Sequence, residues 1–346
     1  RIFKMNKYSR FMFSSTKSVE GLIKKAEQNG MKTITMGFPD IYGRFMGKKY
    51  DAEYYLNNII TKGSNCCNYL LGCDMTFTPL PNTKLSSFDL GYGDFMMQPD
   101  INSVREVNYV NGETQYLFFS DLCYIEDESQ KVAYAPRYIL TKALKELESL
   151  GIKLKVETEI NFTAFHEKYR KSMNNIAGMS PVTEHNNLAN VFYSQANEKL
   201  LSQLSNTLKF SKVPVTSIYG DSGKGQFKVC LDSSDAITFS DNVTLLKLIS
   251  KKVADDFNMT FTYMAKHSQN NPGNNLNIKV SFTDLEGKEL SDEKTNQIQG
   301  GILNHTLDFI SFYGPTANSY KRFFETEIAQ GWNKAGTQSN IQGTNL

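Results

Sequence analysis

Apolar positions recur with a helical period behind Pro136. Ile139, Leu140, Ala143, Leu144, Leu147 and Leu150 line one face up to Gly151, so the spacing predicts an amphipathic helix opened by proline and stopped by glycine. A second run places Val243, Leu246, Ile249, Val253 and Ala254 on one face and predicts a helix capped by Asp241. Near the start, Ser18 precedes Val19, Leu22, Ile23 and Ala26, which predicts a helix ending at Gly30. Strand-like content, β-branched and aromatic, marks KTITMGFPD, ITF and TFTYMAK. The stretch GFPDIYGRFMGKKY reads as a turn between two strands, with Gly43 and Gly47 as its turn residues. NNPGNN at 270–275 reads as a turn-rich loop. The apolar stretch from Ile298 to Phe312 is broken by Asn304, His305 and Asp308, and no apolar run is long enough to span a membrane.

Composition adds little beyond a folded chain with a sizeable core. The 346 residues are 40% hydrophobic, and a net charge of +2 supplies no global attraction for nucleic acid or membranes. Five cysteines, Cys66, Cys67, Cys73, Cys123 and Cys230, lack paired spacing and point to a reducing compartment. The four histidines, His166, His185, His267 and His305, are widely separated and read as structural or exposed.

Several segments, in order, resemble the glutamine synthetase family: SSFDLGYGDFMMQPD at 86–100, the helix of 133–151, ETEINFTAF at 157–165, YGDSGKGQFKVCL at 219–231, the runs 241–257 and 261–282, and GPTANSYKRF at 314–323. The resemblance implies an α+β fold. A small β-grasp-like domain over 18–126 would precede a larger α/β catalytic-like domain over 127–329 with a curved antiparallel sheet. A basic extension over 1–17 and a polar tail over 330–346 would flank them.

Carried over position by position, the resemblance implies an altered metal site. The family's paired strand carboxylates fall on Glu159 and Asn161, and its loop acids fall on Asp221 and Lys228. Its two histidines fall on Asn277 and Lys279, and the arginine of NSYKR is kept as Arg322. Its later glutamate falls on Ile328 and its Asn-Arg pair on Gly336 and Thr337. Among the six strand, loop and histidine positions, Glu159 and Asp221 are negative, Lys228 and Lys279 positive, and Asn161 and Asn277 neutral, so the formal sum is zero. Divalent cations need hard oxygen ligands and charge compensation. The expectation is therefore no bound metal and no cofactor, ancestral ATP and Mg²⁺ or Mn²⁺ being lost, with the two lysines paired to the two acids. Without the resemblance, Glu159 reads as a strand-end acid, Asp221 as a turn residue and Lys228 as a solvated strand position. The GxG at 223–225 is weak evidence for phosphate.

The implied function is a non-catalytic subunit of a large mitochondrial protein assembly, not a nucleic-acid binder. The alternatives are an ATP-dependent ligase joining glutamate to ammonia or an amine, and a glutamate- or nucleotide-binding regulator using Arg322 and Lys279. The mitochondrial expectation rests on RIFKMNKYSRFMFSSTKS, basic and free of acids up to Glu20. The chain also ends before the region where further family arginines and a last metal glutamate are expected.

Overall fold

The computed structural model describes residues 21, 30–81, 83, 85–86, 91–108, 114–169 and 178–322. The basic extension, the helix expected at Ser18 apart from Gly21 and Gly30, residues Ile328, Gly336 and Thr337, and the polar tail lie outside the described residues. The chain divides into two compact units, Arg1–Ala143 and Leu144–Leu346.

In the first unit, β1 (Thr33–Pro39) and β2 (Phe45–Asp51) form an antiparallel hairpin. Its turn is held by the Asp40 carboxylate, which accepts from the Tyr42 and Arg44 amides at 2.9 and 2.8 Å. Gly43 takes the left-handed conformation there, at φ +70°. Gly47, expected in the turn, lies inside β2 opposite Gly37. A Cβ on Gly47 would sit 2.1 Å from the Met36 carbonyl oxygen, and one on Gly37 would sit 2.2 Å from that of Met46. This glycine pair therefore serves close strand approach, not turning.

A helical segment over 52–62 (α1) follows, capped by Asp51, and then come β3 (Ser64–Cys67), β4 (Asp94–Pro99), β5 (Arg105–Asn108) and β6 (Thr114–Tyr124). The sheet runs β2-β1-β6-β4-β3, with β5 also on β6; β1 and β6 are parallel and the other pairs antiparallel. Ile34, Met36, Phe38, Tyr55, Met97 and Phe118 fill the core beneath it. Helix α2 (Pro136–Ser149) starts and stops where its apolar spacing places it, with Gly151 at φ +75°.

The second unit is organised on β7 (Ile152–Phe165), which pairs along one edge with β9 (Gln226–Asp235) and along the other with β10 (Thr260–Thr262) and β11 (Leu276–Asp284). Strand β8 (Val215–Gly220) adds to β9, and every pair is antiparallel. Helices α3 (Val191–Ala196), α4 (Glu198–Phe210) and α5 (Ala236–Asp256) fall between the strands; α6 (Asp292–Asn304), α7 (Ile310–Tyr313) and α8 (Ala317–Tyr320) follow β11.

Helix α5 begins earlier than its periodicity predicts. Asp235 is its cap, accepting from the Thr238 amide at 2.9 Å, and Asp241 is buried within it. The strand-like triplet ITF is helical, because Ala236 and Phe239 continue the buried stripe of Val243, Leu246 and Ile249. That stripe packs on β7, β9 and β10, where Phe162 stacks against Phe261 and Phe227 at centroid distances of 4.4 and 5.8 Å. Among the described residues no helix is long and apolar enough to cross a membrane.

Candidate functional site: a lysine-bridged acidic cluster on one sheet face

Side chains alternate across a strand, so β7 presents Glu157, Glu159 and Asn161 on the face opposite Thr158, Ile160 and Phe162. Register brings the partners. Lys228 of β9 lies opposite Asn161 and Tyr219 of β8, while Asn277 and Lys279 of β11 lie opposite Glu159 and Glu157. Asp221 joins from the tight turn after β8, where its amide donates to the Gln226 carbonyl at 2.9 Å. Gly225 carries φ +65°, and a Cβ on it would sit 2.6 Å from the Ala164 carbonyl oxygen.

Lys228 bridges the centre, its ammonium 3.3 Å from Glu159 Oε2, 3.4 Å from Asp221 Oδ2 and 5.7 Å from the centre of the Tyr219 ring. Its side chain is 17% exposed. Asp221 is further committed: Oδ2 also accepts from Asn161 Nδ2, and Oδ1 accepts from the Ser222 amide at 2.7 Å. Lys279 lies 2.8 Å from Glu159 Oε1 and 3.4 Å from Glu157 Oε1, but its side chain is 57% exposed. The Lys279 hydrogen bond holds the Glu159 carboxyl below its ordinary range against the opposing effect of burial, with help from Lys228. Burial disfavours the Lys228 charge, yet Asp221, Tyr219 and Glu159 together outweigh it and raise its pKa. The Lys279 pKa also rises, chiefly through its bond to Glu159.

A polar hub supports the same face. Gln226 Nε2 donates to the Gly273 carbonyl at 2.9 Å and to Asn274 Oδ1 at 3.0 Å, and its Oε1 accepts from the Gly223 amide at 3.0 Å. Arg322 is buried against Gly273 and donates to the Asn274 carbonyl at 3.0 Å and to Asn275 Oδ1, which pins the 270–275 loop. His267 packs edge-on against Phe165, and burial, then the neighbouring Lys266, pushes its pKa down to about 4. A cleft of about 520 Å³, lined by Pro181, Thr183, Glu184, His185, Asn186 and Lys224, opens beside the Asp221 turn.

The structure thus brings Glu159, Asn161, Asp221, Lys228 and Lys279 together, with Asn277 alongside and Arg322 in the supporting loop. It adds Glu157, which the reading from sequence passed over. The signal was present in ETE, a Glu-x-Glu pair whose members share a strand face. With Glu157 included, three carboxylates face two lysines, so the cluster carries one net negative charge and not zero. Among the described residues no three His, Cys, Asp or Glu side chains converge on a metal-sized position. Between Glu159 and Asp221 an ammonium already fills the space, so the residues there do not fit a divalent ion.

The family model for the glutamine synthetase catalytic domain matches residues 133–338. This chain belongs to the glutamine synthetase family. Its relatives include a gamma-glutamylethanolamide synthetase of Streptomyces coelicolor, 30% identical over 88% of this chain and 66% of that protein. A glutamate–isopropylamine ligase of a Pseudomonas species is 24% identical over 86% of this chain and 66% of that protein. The chain therefore spans 66% of the length of these two glutamine synthetase relatives. A solved GmaS/ADP complex shares the fold with a TM-score of 0.75 at 18% identity, covering 90% of this chain and 69% of that one.

These relatives overturn the expectation of a non-catalytic mitochondrial structural subunit. Both named relatives are bacterial ligases, and neither name describes a pseudoenzyme, a mitochondrial protein or a structural subunit. The expectation that nucleotide and metal use are lost is corrected with it, since it rested on the chain being non-catalytic and these relatives are a synthetase and a ligase. The physical reason is that a charge count around Lys228 does not decide whether nucleotide or metal is held elsewhere. The count omitted Glu157, treated six aligned positions as the whole site, and left out the Gln226–Asn274 hub that keeps the loops beside it in place.

Proposed function

We propose that this chain is the core of an ATP-dependent ligase that joins the side-chain carboxyl of glutamate to an amine. The observation that carries the reading is the 30% identity to a gamma-glutamylethanolamide synthetase across 88% of the chain. Amide formation from a carboxylate needs its oxygen converted to a leaving group. ATP supplies that conversion, ending as ADP and phosphate, and the amine nitrogen then displaces the phosphate. Lys224, His185 and Glu184 line the cleft beside the Asp221 turn, and the exposed Lys279 stands at the edge of the carboxylate cluster.

The test is direct. The purified chain is incubated with glutamate, MgATP and either ethanolamine, isopropylamine or ammonia, and γ-glutamyl amide is read by mass spectrometry alongside phosphate release. Product with an alkylamine or ethanolamine in excess of that with ammonia supports the amine-ligase reading. Phosphate release without amide, or no turnover with any amine, removes it.

A further inference from the structure

We propose that the Lys228 ammonium is a built-in cation that permanently occupies the position between Glu159 and Asp221, so that no divalent ion binds there in this protein. The inference concerns that position alone. It does not rest on the ligase reading, because it is read from metal binding without turnover.

Three observations carry it. The ammonium is held from both sides by carboxylate oxygens, at 3.3 and 3.4 Å, and stands over the Tyr219 ring. Both Asp221 oxygens are engaged twice, Oδ2 by Asn161 and Lys228 and Oδ1 by the Ser222 amide and hydroxyl at 2.7 and 3.3 Å. A divalent ion would have to displace a cation that the surrounding charges hold protonated, and would then sit beside an amide donor turned toward the same carboxylate. Lys279 is a contrast within the same cluster: it pairs with Glu157 and Glu159 but is more than half exposed and can swing into solvent, so the proposal does not extend to it.

Register explains why a lysine can do this. Lys228 stands directly opposite Asn161 on β9 and one strand from Tyr219, so its four-carbon stem lies along the sheet and delivers the charge between acids from β7 and from the turn after β8. A compact ammonium with three donors satisfies two carboxylates without the octahedral shell that magnesium demands.

The experiment is Mn²⁺ titration of the full chain at pH 7 without nucleotide, followed by calorimetry and by electron paramagnetic resonance of free Mn²⁺. Wild type and Asp221→Asn are expected to bind Mn²⁺ alike, because Asp221 is not a ligand. Lys228→Glu replaces the ammonium with a third carboxylate beside Glu159 and Asp221. It is expected to gain a site at least about tenfold tighter than any in wild type, and adding Asp221→Asn to it should abolish that gain. A wild-type site lost in Asp221→Asn overturns the proposal, as does Lys228→Glu binding no better than wild type while remaining folded. If Lys228→Glu does not fold, crystals of wild type soaked in Mn²⁺ decide by anomalous scattering. A peak within bonding distance of Asp221 Oδ2 refutes the built-in cation, and its absence beside an unmoved Lys228 supports it.

Discussion

Ile160 and Phe162 on one side of β7 are buried to the last atom or nearly so and pack among Phe227, Val229, Phe261, Tyr263 and the stripe of α5. One residue away in either direction, Glu159 and Asn161 face a lattice of charges contributed by β9, β11 and the Asp221 turn. The same strand thus carries two kinds of information. The apolar face depends on volume and shape, which many residue combinations satisfy. The polar face depends on the sign of each charge, so a single Glu-to-Lys exchange rewrites what it can bind while the fold beneath stays intact.

The contrast breaks most visibly from the apolar side. Phe162→Ala removes the ring at the centre of the stack and is expected to cost about 3–5 kcal/mol, measured by urea denaturation. A loss below about 1 kcal/mol would mean that the stack is not the core of this unit. The next largest effect is a pH dependence set by His267, which follows β10 and packs against Phe165 at the end of β7. Its folded pKa is depressed to about 4 from an ordinary 6.5, so on acidification the unfolded chain takes up a proton first. Its contribution is complete above pH 6.5 and is lost as pH falls toward 4, by up to about 3 kcal/mol. His267→Phe should flatten the stability profile across that window, and an unchanged slope would assign the acid sensitivity elsewhere.

Within the polar face, Lys228→Ala leaves two carboxylates facing each other and is expected to cost about 2 kcal/mol at neutral pH, less than a fully buried pair would because the site is partly solvated. The loss should shrink below pH 4.5, the ordinary value for Glu159. Its folded pKa is depressed, so its share of the stability is present above 4.5 and disappears as pH falls through the folded value. Lys279→Ala, by contrast, should change stability by no more than about 0.5 kcal/mol, since its side chain is 57% exposed. Equal effects for the two lysines would erase the distinction between a fixed and a displaceable cation.

The strands and helices with a strong period were readable from the chain. α2 was delimited by Pro136 and Gly151, and ETEINFTAF and GQFKVCL fall in β7 and β9. Asp241 misled because an aspartate before an apolar stripe resembles a cap, and only packing shows that the stripe begins at Ala236. Gly47 misled because close strand approach and turning both select glycine. The pairing of Lys228 with Glu159 and Asp221 was anticipated from the family resemblance and the charges it aligned. Glu157 was not, although ETE places it on the face of Glu159; its pairing with Lys279 depends on the register of β11, which no local pattern specifies. Likewise Arg322, expected near substrate, is committed to the 274–275 backbone and side chain across a separation that periodicity does not encode.

The place of β7 at the middle of its sheet also governs when this protein can fold. Thr158 bonds to the Asn277 carbonyl 119 residues downstream, and Asn161 meets Asp221 after 60. During synthesis, one edge of this long, apolar-backed strand therefore waits for β9 and the other for β10 and β11, and contacts of such separation form slowly. A nascent chain exposes an unpaired template for intermolecular strand addition throughout that interval. The charges at Glu157 and Glu159, besides what they hold in the native state, keep that waiting edge from being a uniformly sticky one.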